Sequence, residues 1–220
     1  MREPFSFWSY FSDMREEIES GLAGFEGVAP RADVRTYAPG LAAALDAYDR
    51  GLSIDIEKFE GLHTLIVSAN ADVQRFQAAR DLALAAPMAQ GWLMRALRPR
   101  RDPGEAVRAG GHALKLDGLR FSYGLANDAM VVLILAEDAP FEAGAAAQLL
   151  ARRLVSDVLG EEDFGLSISD ARLIRYADWL AVTPGGRSWP IADLAPRFDA
   201  IFHPAPRRAR IEAPALALSA

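Results

Sequence analysis

Leu62-His63-Thr64-Leu65-Ile66-Val67-Ser68-Ala69 is the apolar run on which the fold of this chain turns. With polar side chains only at His63, Thr64 and Ser68, it suits a strand covered on both faces and therefore central in a sheet. Asn70 ends the run. Val73, Phe76, Leu82 and Leu84 then supply the apolar positions of a helix over 71–86, which Pro87 terminates. The pattern assigns Asn70 as the N-cap, with Asp72 adding negative charge in the first turn. Trp92-Leu93-Met94-Arg95-Ala96-Leu97 reads as the next strand, and Arg98-Pro99-Arg100-Arg101 as a basic loop leaving it.

Upstream, Leu52-Ser53-Ile54-Asp55-Ile56-Glu57 alternates apolar and polar residues, and Glu60-Gly61 connects it tightly to the 62–69 run, which predicts a hairpin. Phe7, Trp8, Phe11 and Ile18 recur at helical spacing over 5–19, an aromatic stripe assigned to core packing. Gly27 to Pro39 reads as a loop, and Pro39-Gly40 opens a second helix ending near Tyr48. Downstream a similar order returns. A strand at 112–116, the turn Asp117-Gly118 and a strand at 119–125 precede a buried strand at 129–136. A helix over 142–159 follows, closed by Gly160, and then an extended stretch to Arg175. Residues 191–201 suggest a last helix, and 204–220, rich in Pro, Arg and Ala, a poorly ordered tail.

These elements predict one α+β domain over 1–203, with a helical N-terminal segment (1–50) and a sheet core (52–176). The expected core is an antiparallel sheet with helices mainly on one face, a ferredoxin-like split βαβ arrangement extended by the strands at 52–57 and 112–125. The two strand–helix–strand stretches share no visible sequence repeat.

Composition narrows the chemistry. The 220 residues include no cysteine, which removes disulfides, thiolate nucleophiles and Cys-ligated metals together. The net charge of −6 divides evenly between residues 1–110 and 111–220, so neither half is a basic arm for nucleic acid. No apolar run approaches the roughly 20 residues that span a bilayer. Met1-Arg2-Glu3-Pro4-Phe5 lacks the pattern of a secretory signal, so a cytoplasmic location and no membrane partner are expected.

His63, His112 and His203 stand apart without metal-ligand spacing, so no metal is expected. Ser68 ends a strand before a helix, but Val67-Ser68-Ala69-Asn70-Ala71 lacks the glycines that expose a nucleophile at such a turn. Gly110-Gly111 and Gly185-Gly186 lack the Lys-Ser/Thr or strong helix of a phosphate loop, and no cofactor is expected. Glu161-Glu162-Asp163 reads as a solvated loop after a helix end, although pairing with the arginines is conceivable. The constellation that remains is Trp92 with Arg95, Arg98 and Arg101. If Arg95 projects to the exposed face, these guanidinium groups form a bidentate grip for a carboxylate or phosphate. The competing reading is an edge strand protected by charge.

Phe7-Trp8-Ser9-Tyr10-Phe11, Ile66-Val67-Ser68-Ala69-Asn70, Ala86-Pro87…Gly91-Trp92…Ala96-Leu97-Arg98-Pro99 and Leu159-Gly160-Glu161 resemble segments of an uncharacterised family of bacterial proteins of about this length. Ala71 stands where that family has Gly. The resemblance implies a shared fold and a bacterial source, with no established activity to carry over. The leading expectation is a non-catalytic accessory protein that binds another protein. The alternative is a binder of small anionic ligands, or a hydrolytic enzyme, with its site near Arg95, Arg98 and Arg101. Nucleic-acid binding through an exposed sheet lacks both positive charge and the required aromatic pattern.

Overall fold

The computed structural model describes residues 3–22, 27–29, 38–59, 62–109, 111–139 and 144–204. Helix α1 (Pro4–Gly21) opens on a proline, whose missing N–H costs nothing in a first turn. It buries Phe7, Trp8, Phe11 and Ile18, the stripe the spacing picked out. Strand β1 (Gly27–Ala29) lies within the stretch expected to be a loop, and residues 30–37 of that stretch lie outside the described ones. Helix α2 (Pro39–Tyr48) packs on α1.

Strands β2 (Ser53–Phe59) and β3 (Leu62–Ser68) form the expected antiparallel hairpin, with Ile56 opposite Leu65 and Ile54 opposite Val67. A 3-10 turn (Val73–Arg75) leads into α3 (Phe76–Leu84) and then β4 (Trp92–Ala96). Asp72, not Asn70, caps this segment, its carboxylate accepting the Gln74 N–H. Strand β4 pairs directly with β3 in parallel, giving the sheet order β1-β2-β3-β4 with β4 at the edge.

The second half repeats this plan. A separate hairpin, β5 (Ala106–Ala109) with β6 (His112–Lys115), comes first. Strands β7 (Arg120–Ala126) and β8 (Ala129–Ala136) pair antiparallel, and α4 (Ala145–Leu159) crosses over to β9 (Ile168–Arg175), which pairs with β8 in parallel. Helix α5 (Glu161–Ser167) sits between α4 and β9. Helix α6 (Tyr176–Val182) lies against β8 and β9. A short β10 (Trp189–Pro190) completes the order β10-β7-β8-β9, and α7 (Leu194–Phe202) packs on α4.

The α+β content is as expected, but the arrangement differs. A single antiparallel sheet with a split βαβ core is replaced by two four-stranded mixed sheets. A split βαβ leaves room for a strand between the two that flank the helix, whereas β3–β4 and β8–β9 are immediate neighbours. The strands at 53–59 and 112–126 do not extend one sheet: the first belongs to the N-terminal sheet, β7 to the other, and β6 only to its own hairpin. The strands also reach beyond 52–176, to β1 and β10.

Each half has its own apolar core. Ile54, Ile56, Leu65, Val67 and Trp92 face α1, α2 and α3 in the first. Met130, Val132, Ile134 and Ala171 face α4 and α7 in the second, where Val107 and Leu114 of the β5–β6 hairpin join them. Alternation along each strand therefore puts Ser53, Asp55, Ile66 and Ser68 on the opposite face of the N-terminal sheet. All four are buried nonetheless, because the second half covers that end of the face. Residues 205–220, the bulk of the expected tail, lie outside the described residues.

Candidate functional site

The parallel strands β3 and β4 end side by side, and the chain turns sharply at both ends. Asn70 (φ 55°), Ala71 (φ 61°) and Leu97 (φ 60°) occupy the left-handed region although none is glycine. Ala71 and Leu97 each cost about 1–2 kcal/mol relative to right-handed backbone, and Asn70 less, so the turns need compensation. The compensation is a carboxylate. Glu161, the first residue of α5, is fully buried between the two strand ends. Its Oε1 accepts from the Ser68 hydroxyl (2.9 Å) and the Ala71 N–H (3.0 Å), and its Oε2 from the Arg98 N–H (2.9 Å). The Ser68 hydroxyl in turn accepts the Asn70 N–H at 3.0 Å.

These bonds settle two sequence expectations. Glu161 belongs to no solvated loop: it is the most enclosed acid at the junction between the halves. Ser68 is fully buried, with both donor and acceptor engaged, and so presents no accessible hydroxyl. The other acids of the cluster also meet arginines. Glu162 reaches Arg80 (2.6 Å) and Asp163 reaches Arg100 (2.6 Å).

The basic run is a connector fastened to both halves. Arg98 turns back to the first half, where its guanidinium bonds to Asp55 and, at 3.3 Å, to the Ser53 hydroxyl. Burial works against its charged form, but Asp55, with Glu161 and Asp157, more than offsets that and raises its pKa. Arg100 turns forward, to Asp163 and Asp199 and to the Leu159 carbonyl (2.9 Å). The hydrogen bond that Arg100 donates to Asp199 is the largest influence on Arg100, whose pKa rises, and Arg100 holds the Asp199 carboxyl below its usual range. Arg101 spans the junction, joining Glu57 on β2 (3.0 Å) to Asp157 on α4 (2.8 Å). Its N–H also donates to the Asp157 carbonyl at 2.8 Å. Gly160 lets this connector lie close, since a Cβ there would stand 3.1 Å from the Arg100 nitrogen and its φ of +80° favours glycine.

The four residues singled out in the sequence therefore separate. Trp92 points into the N-terminal core, where it stacks on His63 (4.8 Å) and donates to Glu19 (2.7 Å). Arg98 and Arg101 are engaged with acids of the chain itself. Arg95 is exposed on the outward face of β4 and makes no hydrogen bond or ion pair with any described residue. It lines a depression of about 210 Å³ with Leu97, Arg98, Arg100, Gly160, Glu162 and Asp163. Beside Arg95 the same sheet face carries Leu93 (55% exposed) and, diagonal to it on β3, Leu62 (43%).

Glu161 could have been found from its position, since three acids after a glycine mark the start of a helix. Its carboxylate's partners, 63 to 93 residues away in sequence, left no local signal. His63, expected to be a hydrogen-bonded strand residue, is held by ring stacking, and its buried Nδ1 has no partner among the described residues. His203 bonds to Asp163 at 3.0 Å. Among the described residues no group of three His, Asp or Glu is placed to hold a metal ion, and no helix is long and apolar enough to cross a membrane. No protein-family model, no curated protein and no solved structure matches the chain.

Proposed function

We propose that this protein is a non-catalytic binding module that engages an extended segment of another protein along β4. The supporting observation is the asymmetry between the two sheets' outer strands. Among the described residues β4 and β9 each end a sheet, but β4 leaves Leu93 and Arg95 exposed with Leu62 beside them, whereas β9 is backed by α6 and carries its own Asp170–Arg172 ion pair. An open edge offers unpaired backbone groups to an added strand, and alternate side chains then supply selectivity. Alternation along β4 favours a segment with an apolar residue opposite Leu93 and an acid two positions away, opposite Arg95.

The test places a photo-crosslinking residue at position 93 and, as a control, at Leu180 on α6, each expressed in the source cell. The reading expects a discrete adduct from position 93 only, abolished by Arg95→Glu. The same adducts from both positions, or an adduct insensitive to Arg95→Glu, would overturn it.

A further inference from the structure

The arrangement around Glu161 has the form of a ligand site whose ligand is supplied by the chain. Two backbone N–H groups and a hydroxyl converge on one carboxylate, and a guanidinium nitrogen of Arg98 stands 4.0 Å from its Oε2. The donors divide between the two oxygens in the manner that a planar carboxylate requires. The cradle lies at the carboxyl ends of two adjacent parallel strands, the position where open sheets containing βαβ units generally bind ligands. Left-handed backbone at Ala71 and just before Arg98 aims the two N–H groups inward. Leu97, Arg98 and Gly160 border both the cradle and the 210 Å³ depression, which opens to solvent beside Arg95, unpaired among the described residues.

We propose that this cradle, formed by Ser68 and the N–H groups of Ala71 and Arg98, is a carboxylate-recognition site that Glu161 keeps filled, and that it takes a small free monocarboxylate when that side chain is removed by substitution. The depression at Arg95 is the route of entry. Size specifies the ligand. Glu161→Ala deletes Cγ, Cδ and both oxygens, four heavy atoms that match acetate. Formate leaves part of the space empty, and propionate carries one carbon too many. A tetrahedral phosphate has more oxygens than the three direct donors can serve.

The test is thermal unfolding of Glu161→Ala with sodium acetate, formate, propionate, phosphate and chloride at matched ionic strength. Wild type and Glu161→Gln, whose cradles remain filled, correct for general salt effects. The expected result is a saturable rise in Tm specific to Glu161→Ala, with acetate strongest, formate and propionate weaker, and phosphate no better than chloride. In Glu161→Ala carrying Arg95→Glu, the reversed charge beside the cradle disfavours a bound anion, so acetate acts at a higher half-saturating concentration. Equal acetate effects on wild type and Glu161→Ala would overturn the site, and a stronger response to phosphate would overturn its assignment to carboxylates. Should Glu161→Ala fail to fold in chloride, recovery of folded protein on refolding from urea in acetate replaces the Tm reading. Failure in both salts would then contradict the proposal.

Discussion

The two halves share a hairpin followed by a helical crossover to a parallel strand, yet they finish their sheets in opposite ways. In the C-terminal half α6 lies against β8 and β9, and Leu135, on the face away from α4, is buried. In the N-terminal half no helix among the described residues of that half covers the outward face. One end of that face is closed by the connector arginines and Glu161, while the end at Leu62 and Leu93 stays open. The comparison teaches that a repeated element order leaves the coverage of a sheet undetermined. That coverage depends on the segments between the elements. It also explains why an arginine-rich stretch is not by itself an anion site: most of these cations already have acids of the same chain as partners.

The largest test of this difference is to remove the pin. Glu161→Gln preserves shape but turns an amide NH2 toward donors, and should cost about 3–5 kcal/mol in urea unfolding, as breaking a buried charge network does. A similar loss is expected for Arg98→Ala, which strands the buried Asp55. Arg101→Ala, at a part-buried bridge, should cost about 1.5–3 kcal/mol, and Arg100→Ala, more exposed, under about 1 kcal/mol. Equal losses at the three arginines would break the account of a connector graded by burial.

Backbone geometry at the same junction gives two changes of opposite sign. Gly165→Ala would set a Cβ 2.6 Å from the Phe76 ring and 3.0 Å from the Ala71 carbonyl, and should destabilise by about 1–3 kcal/mol. Ala71→Gly relieves a positive φ and should stabilise by up to about 1 kcal/mol after the entropy cost of glycine. Denaturant midpoints with unchanged slopes check both. The smallest effect concerns acid. Because Arg100 holds the Asp199 carboxyl below its unfolded value, their bond contributes at neutral pH and is lost as pH falls through the folded-state pKa. Hydrogen exchange in α7 should rise on acidification in wild type more than in Asp199→Asn.

Much of this was legible from local pattern. The hairpin of β2 and β3 shows in alternating residues, α1 in its aromatic stripe, and α4 in its length and closing Gly160. Strand pairing was not legible, because periodicity says which face is apolar and not which strand lies alongside. The same limit turned two mixed sheets into one expected antiparallel sheet. Strands β1, β5 and β10, of two to four residues, are too short for a period to show. Of the site, the basic run and the acids after Gly160 stood out as charges. Their partnership did not, since Ser68 and Glu161 meet across 93 residues.

That partnership is the most direct test of the account. In a double-mutant cycle of Ser68→Ala and Glu161→Gln, followed by urea unfolding, residues from the two halves that bond in a buried junction should show a coupling of about 1–3 kcal/mol. Additive losses, agreeing within about 0.3–0.5 kcal/mol, would contradict the claim that Glu161 pins one half of the molecule to the other.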